Sequence, residues 1–131
     1  DAGREWIEIF NKGNMSVDIS DWKLFEADTN HGLTLIQGSM IIPPMGFAII
    51  ADDSAKFLID WPNFSGTLLD SSFSLSNTGE TISLKKNNVL IDEVTYASEM
   101  GGNVNGDSLQ KASGVFQPSK PTPGLHNVIL R

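Results

Sequence analysis

The tetrapeptide Gly106-Asp107-Ser108-Leu109 spells the nucleophile block of one class of serine esterases. In that chemistry a serine hydroxyl attacks an ester carbonyl while an imidazole takes its proton, and the imidazole comes from a downstream Asp-x-x-His. The chain has two histidines, His31 and His126. Pro123 stands three residues before His126, where the aspartate would be needed, and His31 lies far upstream. Ser108 is therefore read as the start of a strand, with Asp107 bonding turn amides and Leu109 turned toward a core. Nucleophile and base cannot be paired from the residues available, so the chain is read as a non-enzyme.

The same region offers oxygen ligands. Asn103, Asn105 and Asp107 are spaced two apart, like the opening of a calcium loop. However, Gly106 precedes the third ligand instead of following it, and Gly114 stands where a bidentate glutamate belongs. The three are weak metal candidates, and no metal or cofactor is expected. Among the acidic pairs, Asp53 reads as a helix cap and Asp92-Glu93 as a solvated strand end. Cysteine is absent, which removes thiolate sites and disulfides alike.

Trp6, Trp22 and Trp61 would form a carbohydrate-stacking platform if they shared one exposed face. Trp22 alternates with apolar positions and reads as core. Trp61 follows a short helical pattern and precedes Pro62, and Trp6 and Phe10 share the face of Glu8. Trp61, Trp6 and Phe10 are thus the candidate binding residues, with packing in a core or at an edge the plainer reading of each.

These side chains need a scaffold, and the sequence describes one. The chain has 131 residues, 40% of them hydrophobic and 19% charged, which suits one globular domain. Twelve glycines and six prolines punctuate short apolar runs, the texture of an all-β fold. No apolar run approaches the ~18 residues of a membrane helix. Nine basic residues against sixteen acidic ones give a net charge of −7, which disfavours nucleic acid as a partner. The first residue is Asp1, and the chain reads as a piece of a longer protein.

"EWIEIFN" (5–11) alternates with period two, placing Ile7 and Ile9 on one face. In "VDISDWKLFEA" (17–27) the apolar parity changes between Ile19 and Trp22, which predicts a bend at Ser20-Asp21. "HGLTLIQGSMIIPPMGFAIIA" (31–51) reads as two or three strands broken at Pro43-Pro44, and residues 47–51 read as a central strand. "DDSAKFLIDW" (52–61) is the one helical pattern, capped by Asp53 or Ser54, burying Phe57 and Leu58 and stopped near Pro62. From 71 to 97, Phe73, Leu75, Ile82 and Leu84 face inward between the turns "NTGE" and "KKNN", and the spacing of Ile91, Val94 and Tyr96 predicts a bulge. A short strand over 108–111 and a proline-rich exit follow. The sum is a β-sandwich of about eight or nine strands with one short helix.

The order "EWIEIFNKG", "VDISDWKL", "IIPPMGFAIIA", "FSLSNTGETISL", "VLIDEVTYA", "GDSLQK", "PTPGLHN" resembles the lamin tail domain family along residues 5–127. The resemblance implies an immunoglobulin-like β-sandwich without an active site. Residues 1–131 would form a single such domain. Members of that family usually begin with a further strand of the type "INEV", and only four residues precede "EWIEIFN" here. The usual first strand would then be missing, which leaves either a simple edge strand with a loose tail, the plainer reading, or an edge filled by the apolar tail "NVILR" (127–131) of this chain or a second copy. The family occurs at the tails of nuclear lamins and, more often, in bacterial and archaeal secreted or surface proteins, appended to nucleases, phosphatases and other hydrolases. The Pro-Pro-x-Gly turn and the "PTPGLHN" ending are similar to the prokaryotic form.

The expected function is a non-catalytic interaction or structural module of a larger secreted or surface protein, binding a protein partner or itself through a sheet edge and loops. The alternative is an accessory domain that holds polysaccharide or nucleic acid for a fused hydrolase or nuclease. The expected location is extracellular or on the cell surface of a bacterium or archaeon, with the nucleus as the alternative if the parent is a lamin.

Overall fold

The computed structural model of the protein describes residues 5–26, 29–74, 79–97, 108–112 and 115–119. Strand β1 (Trp6–Phe10) pairs antiparallel with β7 (Phe47–Ala51), Ile7 opposite Ile50 and Ile9 opposite Ala48. Successive strand side chains point to opposite faces, so an apolar residue at every position of β7 means that both of its faces are covered. That is observed. Ala48 and Ile50 enter one core, Ile49 and Ala51 another, and all four are fully buried.

β7 also runs parallel to β8 (Thr67–Asp70), with Ala48 opposite Thr67 and Ala51 opposite Asp70. Parallel neighbours cannot be joined by a tight hairpin and need a crossover. Helix α1 (Ser54–Asp60) lies in that crossover. Its N-cap is Asp53, whose carboxylate accepts the Lys56 amide at 3.1 Å. Its last turn closes when the Trp61 amide donates to the Phe57 carbonyl, just before Pro62 ends the helical path. β5 (Thr34–Gln37) pairs antiparallel with β8 and completes a four-stranded sheet ordered β1-β7-β8-β5.

The second sheet is antiparallel throughout, with β3 (Trp22–Glu26), β4 (Thr29–His31), β9 (Gly79–Lys86) and β10 (Val89–Ala97) in the order β10-β9-β3-β4. β2 (Val17–Asp18) and β6 (Ile41–Ile42) pair antiparallel as a separate small ribbon. The bend expected at Ser20-Asp21 is present as a turn, with the Trp22 amide donating to the Ile19 carbonyl at 3.1 Å. Here the chain leaves one ribbon for another sheet, which is why the parity changes while Ile19 and Leu24 both stay buried. The hairpin β9–β10 turns at Asn87-Asn88, with φ of 50° and 65°, the two left-handed positions of a type I′ turn. The expected bulge falls between Leu90 and Asp92.

Ile7, Ile9, Ile50 and Leu69 of the first sheet meet Leu24, Ile82, Leu84 and Val94 of the second, making the inter-sheet core of a sandwich. The opposite face of the first sheet carries the second core, where Ile49, Ala51 and Leu68 pack under Phe57 of α1. The all-β sandwich with one short helix stands as expected. Twelve strands are present among the described residues, against about eight or nine from the turn spacing. The excess consists of β2, β4 and β6, too short to show alternation, and β12 (Val115–Ser119), which pairs with β11 (Ser108–Ala112). The proline-rich exit therefore begins as a strand. Pro118 is accommodated in a two-stranded ribbon, where a missing amide need not break a central ladder. Phe73 is buried but residues 71–74 are not a strand, and Leu75 lies outside the described residues.

Candidate functional site

The aromatic candidates go to two places. Trp6 meets Phe57 edge-on, with centroids 5.8 Å apart at 76°, and Trp61 at 6.4 Å and 80°. Phe64 meets Phe57 at 5.3 Å and 90°. Perpendicular rings pack well against one another and offer no shared flat face on which a sugar could stack. Both tryptophans are half-buried over the second core. Phe10 is different, because it is 40% exposed with its ring 4.9 Å from Phe47. It stands beside Asn11, whose side-chain amide donates to the carbonyls of Met15 and Ile42 and whose carbonyl accepts the Met45 amide. These bonds hold two exposed methionines, Met15 and Met45, at one end of the sandwich, and Met45 has a left-handed φ of 64°.

Asn103, Asn105, Asp107 and His126 lie outside the described residues. Ser108 opens β11 opposite Ser119. Among the described residues no three histidines, cysteines or acids converge as metal ligands. The acidic pairs have structural partners. Asp52 Oδ1 accepts the Phe73 amide at 3.3 Å, and Asp53 caps α1. Glu93 Oε2 accepts the Ser83 hydroxyl at 2.9 Å across the β9–β10 hairpin, a role that alternation alone does not reveal. Lys85, in the "KKNN" turn sequence, lies 4.4 Å from the Phe25 ring centroid, a cation–π contact.

A groove of about 480 Å³ opens between the β4–β5 connection and residues 70–72 where the chain leaves β8. His31 Nε2 lies 3.2 Å from Glu26 Oε1, which also accepts the Ser74 amide at 2.8 Å. The His31–Glu26 approach is within ion-pair distance, with a geometry that is not that of an aligned hydrogen bond. Ser71 is 2% exposed, and its hydroxyl has no hydrogen-bond partner among the described residues. His31 and Ser71 both line this groove, yet no hydrogen bond joins them as nucleophile and base. A lone histidine and a serine forty residues apart give no sequence signal of this meeting.

The second sheet ends in β10, and its first three residues are Val89, Leu90 and Ile91, exposed by 63%, 52% and 44%. Among the described residues β10 has β9 on one side and no strand on the other. The sequence carries a signal for this patch. Three consecutive apolar residues just after a turn cannot all face one core in an extended strand.

The family model described as Lamin Tail Domain matches residues 1–98 of the chain. The chain belongs to the lamin tail domain family. The match covers both four-stranded sheets and α1, and β11 and β12 follow it. Lamin tail domains are immunoglobulin-like and non-enzymatic, in keeping with the two packed sheets. No match was found among curated proteins or among solved structures. In this lamin tail domain, then, the surface features to be explained are the β10 edge, the methionine end and the polar groove.

Proposed function

We propose that this lamin tail domain is a non-catalytic interaction module of a larger secreted or surface protein, and that it docks an extended segment of a protein partner along β10. The observation that supports this reading is the exposed run Val89-Leu90-Ile91 on a strand at the end of its sheet. Strand addition combines main-chain hydrogen bonds, which give affinity, with side-chain contacts, which give selectivity. Beyond the bulge the exposed side chains become Asp92, Glu93 and Thr95, charged or polar groups of the kind that discourage indiscriminate edge-to-edge pairing. The partner segment is accordingly short and apolar, with an acidic residue toward the exposed Lys86 beside the turn. A second copy of the chain is one such partner. The extracellular or surface setting draws on the Pro43-Pro44-Met45-Gly46 turn and the "PTPGLHN" ending, and cell fractionation of the full-length parent tests it.

Selection of displayed peptides against the domain should enrich extended apolar sequences whose binding slows amide exchange across residues 89–95. Leu90→Glu should weaken that binding by ~1–3 kcal/mol. Light scattering over a range of concentrations separates self-association from capture of a different chain. Peptides that bind but protect other amides, and are indifferent to Leu90→Glu, would refute the edge as the docking site.

A further inference from the structure

The groove beside β4 has a property that nothing in the fold requires. Ser71 Oγ is buried with no hydrogen-bond partner among the described residues and lines this groove, as does His31, whose Nε2 lies 3.2 Å from Glu26 Oε1. Buried polar groups in native proteins are nearly always satisfied, and an exception calls for a water, an ion or a ligand. The cavity volume of about 480 Å³ falls in the range of small-ligand sites. The walls add Lys23, Asn30, Thr34 and Asp70. Asp70 is already oriented, since its Oδ2 accepts the Ser54 amide at 2.9 Å.

We infer that this groove binds a neutral carbohydrate through its hydroxyl groups. Three alternatives in ligand charge are disfavoured by the lining. An anion would face Asp70, with Glu26 against His31, on a chain of net charge −7. A bare cation would face Lys23, and no three acids or histidines converge among the described residues. A purely apolar ligand would strand the Lys, Asn, Thr, Asp and Ser groups of the walls without water. A hydroxyl both donates and accepts, so it complements the Ser71 hydroxyl. Neighbouring hydroxyls on a sugar ring can likewise bridge an acceptor such as Asp70 and a donor such as Asn30 or Lys23. The groove is open at the surface and so admits an internal segment of a chain as readily as a free sugar. It lies by β4, the opposite edge of the sheet from β10, so failure at either place leaves the other reading standing.

The test is amide chemical-shift mapping of the intact domain with cellohexaose, mannohexaose and xylohexaose, each taken to ~10 mM, a range that detects weak binding. Inorganic phosphate and calcium chloride serve as charged probes. At least one neutral hexaose should shift the amides of residues 30–34 and 70–72. Ser71→Ala should weaken that binding roughly tenfold while leaving the melting temperature unchanged or higher, because it removes an unmet polar group. Asn30→Ala, at an exposed position, should weaken binding in a folded protein. Shifts from phosphate or calcium alone, no shift from any hexaose, or equal binding by the Ser71→Ala variant would each overturn the inference.

Discussion

Leu68 and Leu69 are neighbours in the chain and both are fully buried, yet they occupy different cores. Leu69 lies between the two sheets, and Leu68 lies under α1 with Phe57. Truncation of either to alanine should cost ~2–5 kcal/mol in equilibrium unfolding, the range for buried leucine. Leu68→Ala should change the native emission of Trp6 and Trp61, which pack against its core, whereas Leu69→Ala should act on Trp22, which packs against the other.

Gly38 is fixed by Thr67. Its φ is 85°, and a Cβ there would fall 2.5 Å from Thr67 Oγ1 and 2.6 Å from Thr67 Cα. The second contact is with backbone and cannot relax by a rotamer change. The Thr67 hydroxyl also brackets residue 39, accepting from its amide and donating to its carbonyl, both at 3.2 Å. Gly38→Ala should therefore cost ~2–4 kcal/mol, read by denaturant titration. Thr67→Ser, which keeps the hydroxyl, should cost much less.

Met45 pays conformational strain at an exposed position. Its φ of 64° suits glycine or asparagine better than methionine. Met45→Asn should raise stability by ~0.5–1 kcal/mol. If Met45 also contributes to binding at the exposed end of the sandwich, the stabilised variant will bind less well there, which separates the two effects.

Asp18 gives the pH prediction. The hydroxyl and then the backbone amide of Ser20 donate to its carboxylate, and with Lys86 they hold its pKa below the ordinary 3.8. A depressed folded pKa means that the contribution to stability is fully present above 3.8 and is lost as pH falls through the lowered folded value. Ser20→Ala should move the Asp18 midpoint upward toward 3.8 in a carboxyl-detected NMR titration, and Asp18→Asn should remove this part of the acid dependence.

Much of the scaffold is legible from local pattern. Ile7 and Ile9 announce their face by alternation, Asp53 and Pro62 bracket α1, and Pro43-Pro44 mark the break before β7. Each of these signals is set by backbone geometry within a few residues. What pattern does not show is pairing at a distance. Nothing in "VD" or "II" reveals that Val17 meets Ile42, and nothing near residue 48 reveals a parallel partner at Thr67. The surface features are harder still. Trp6 and Trp61 are apolar enough to be either core or platform, and their fate rests on a helix packed against them. Ser71 and His31 are unremarkable in sequence and become a feature only once β4 and the end of β8 are brought side by side.

The crossover helix makes the molecule one-sided. α1 roofs one sheet, while among the described residues the hairpin sheet carries no helix on its outer face. In a string of linked domains, a neighbour could rest against the roofed flank without masking the other. Orientation along such a string, and not affinity alone, would then decide what the module meets.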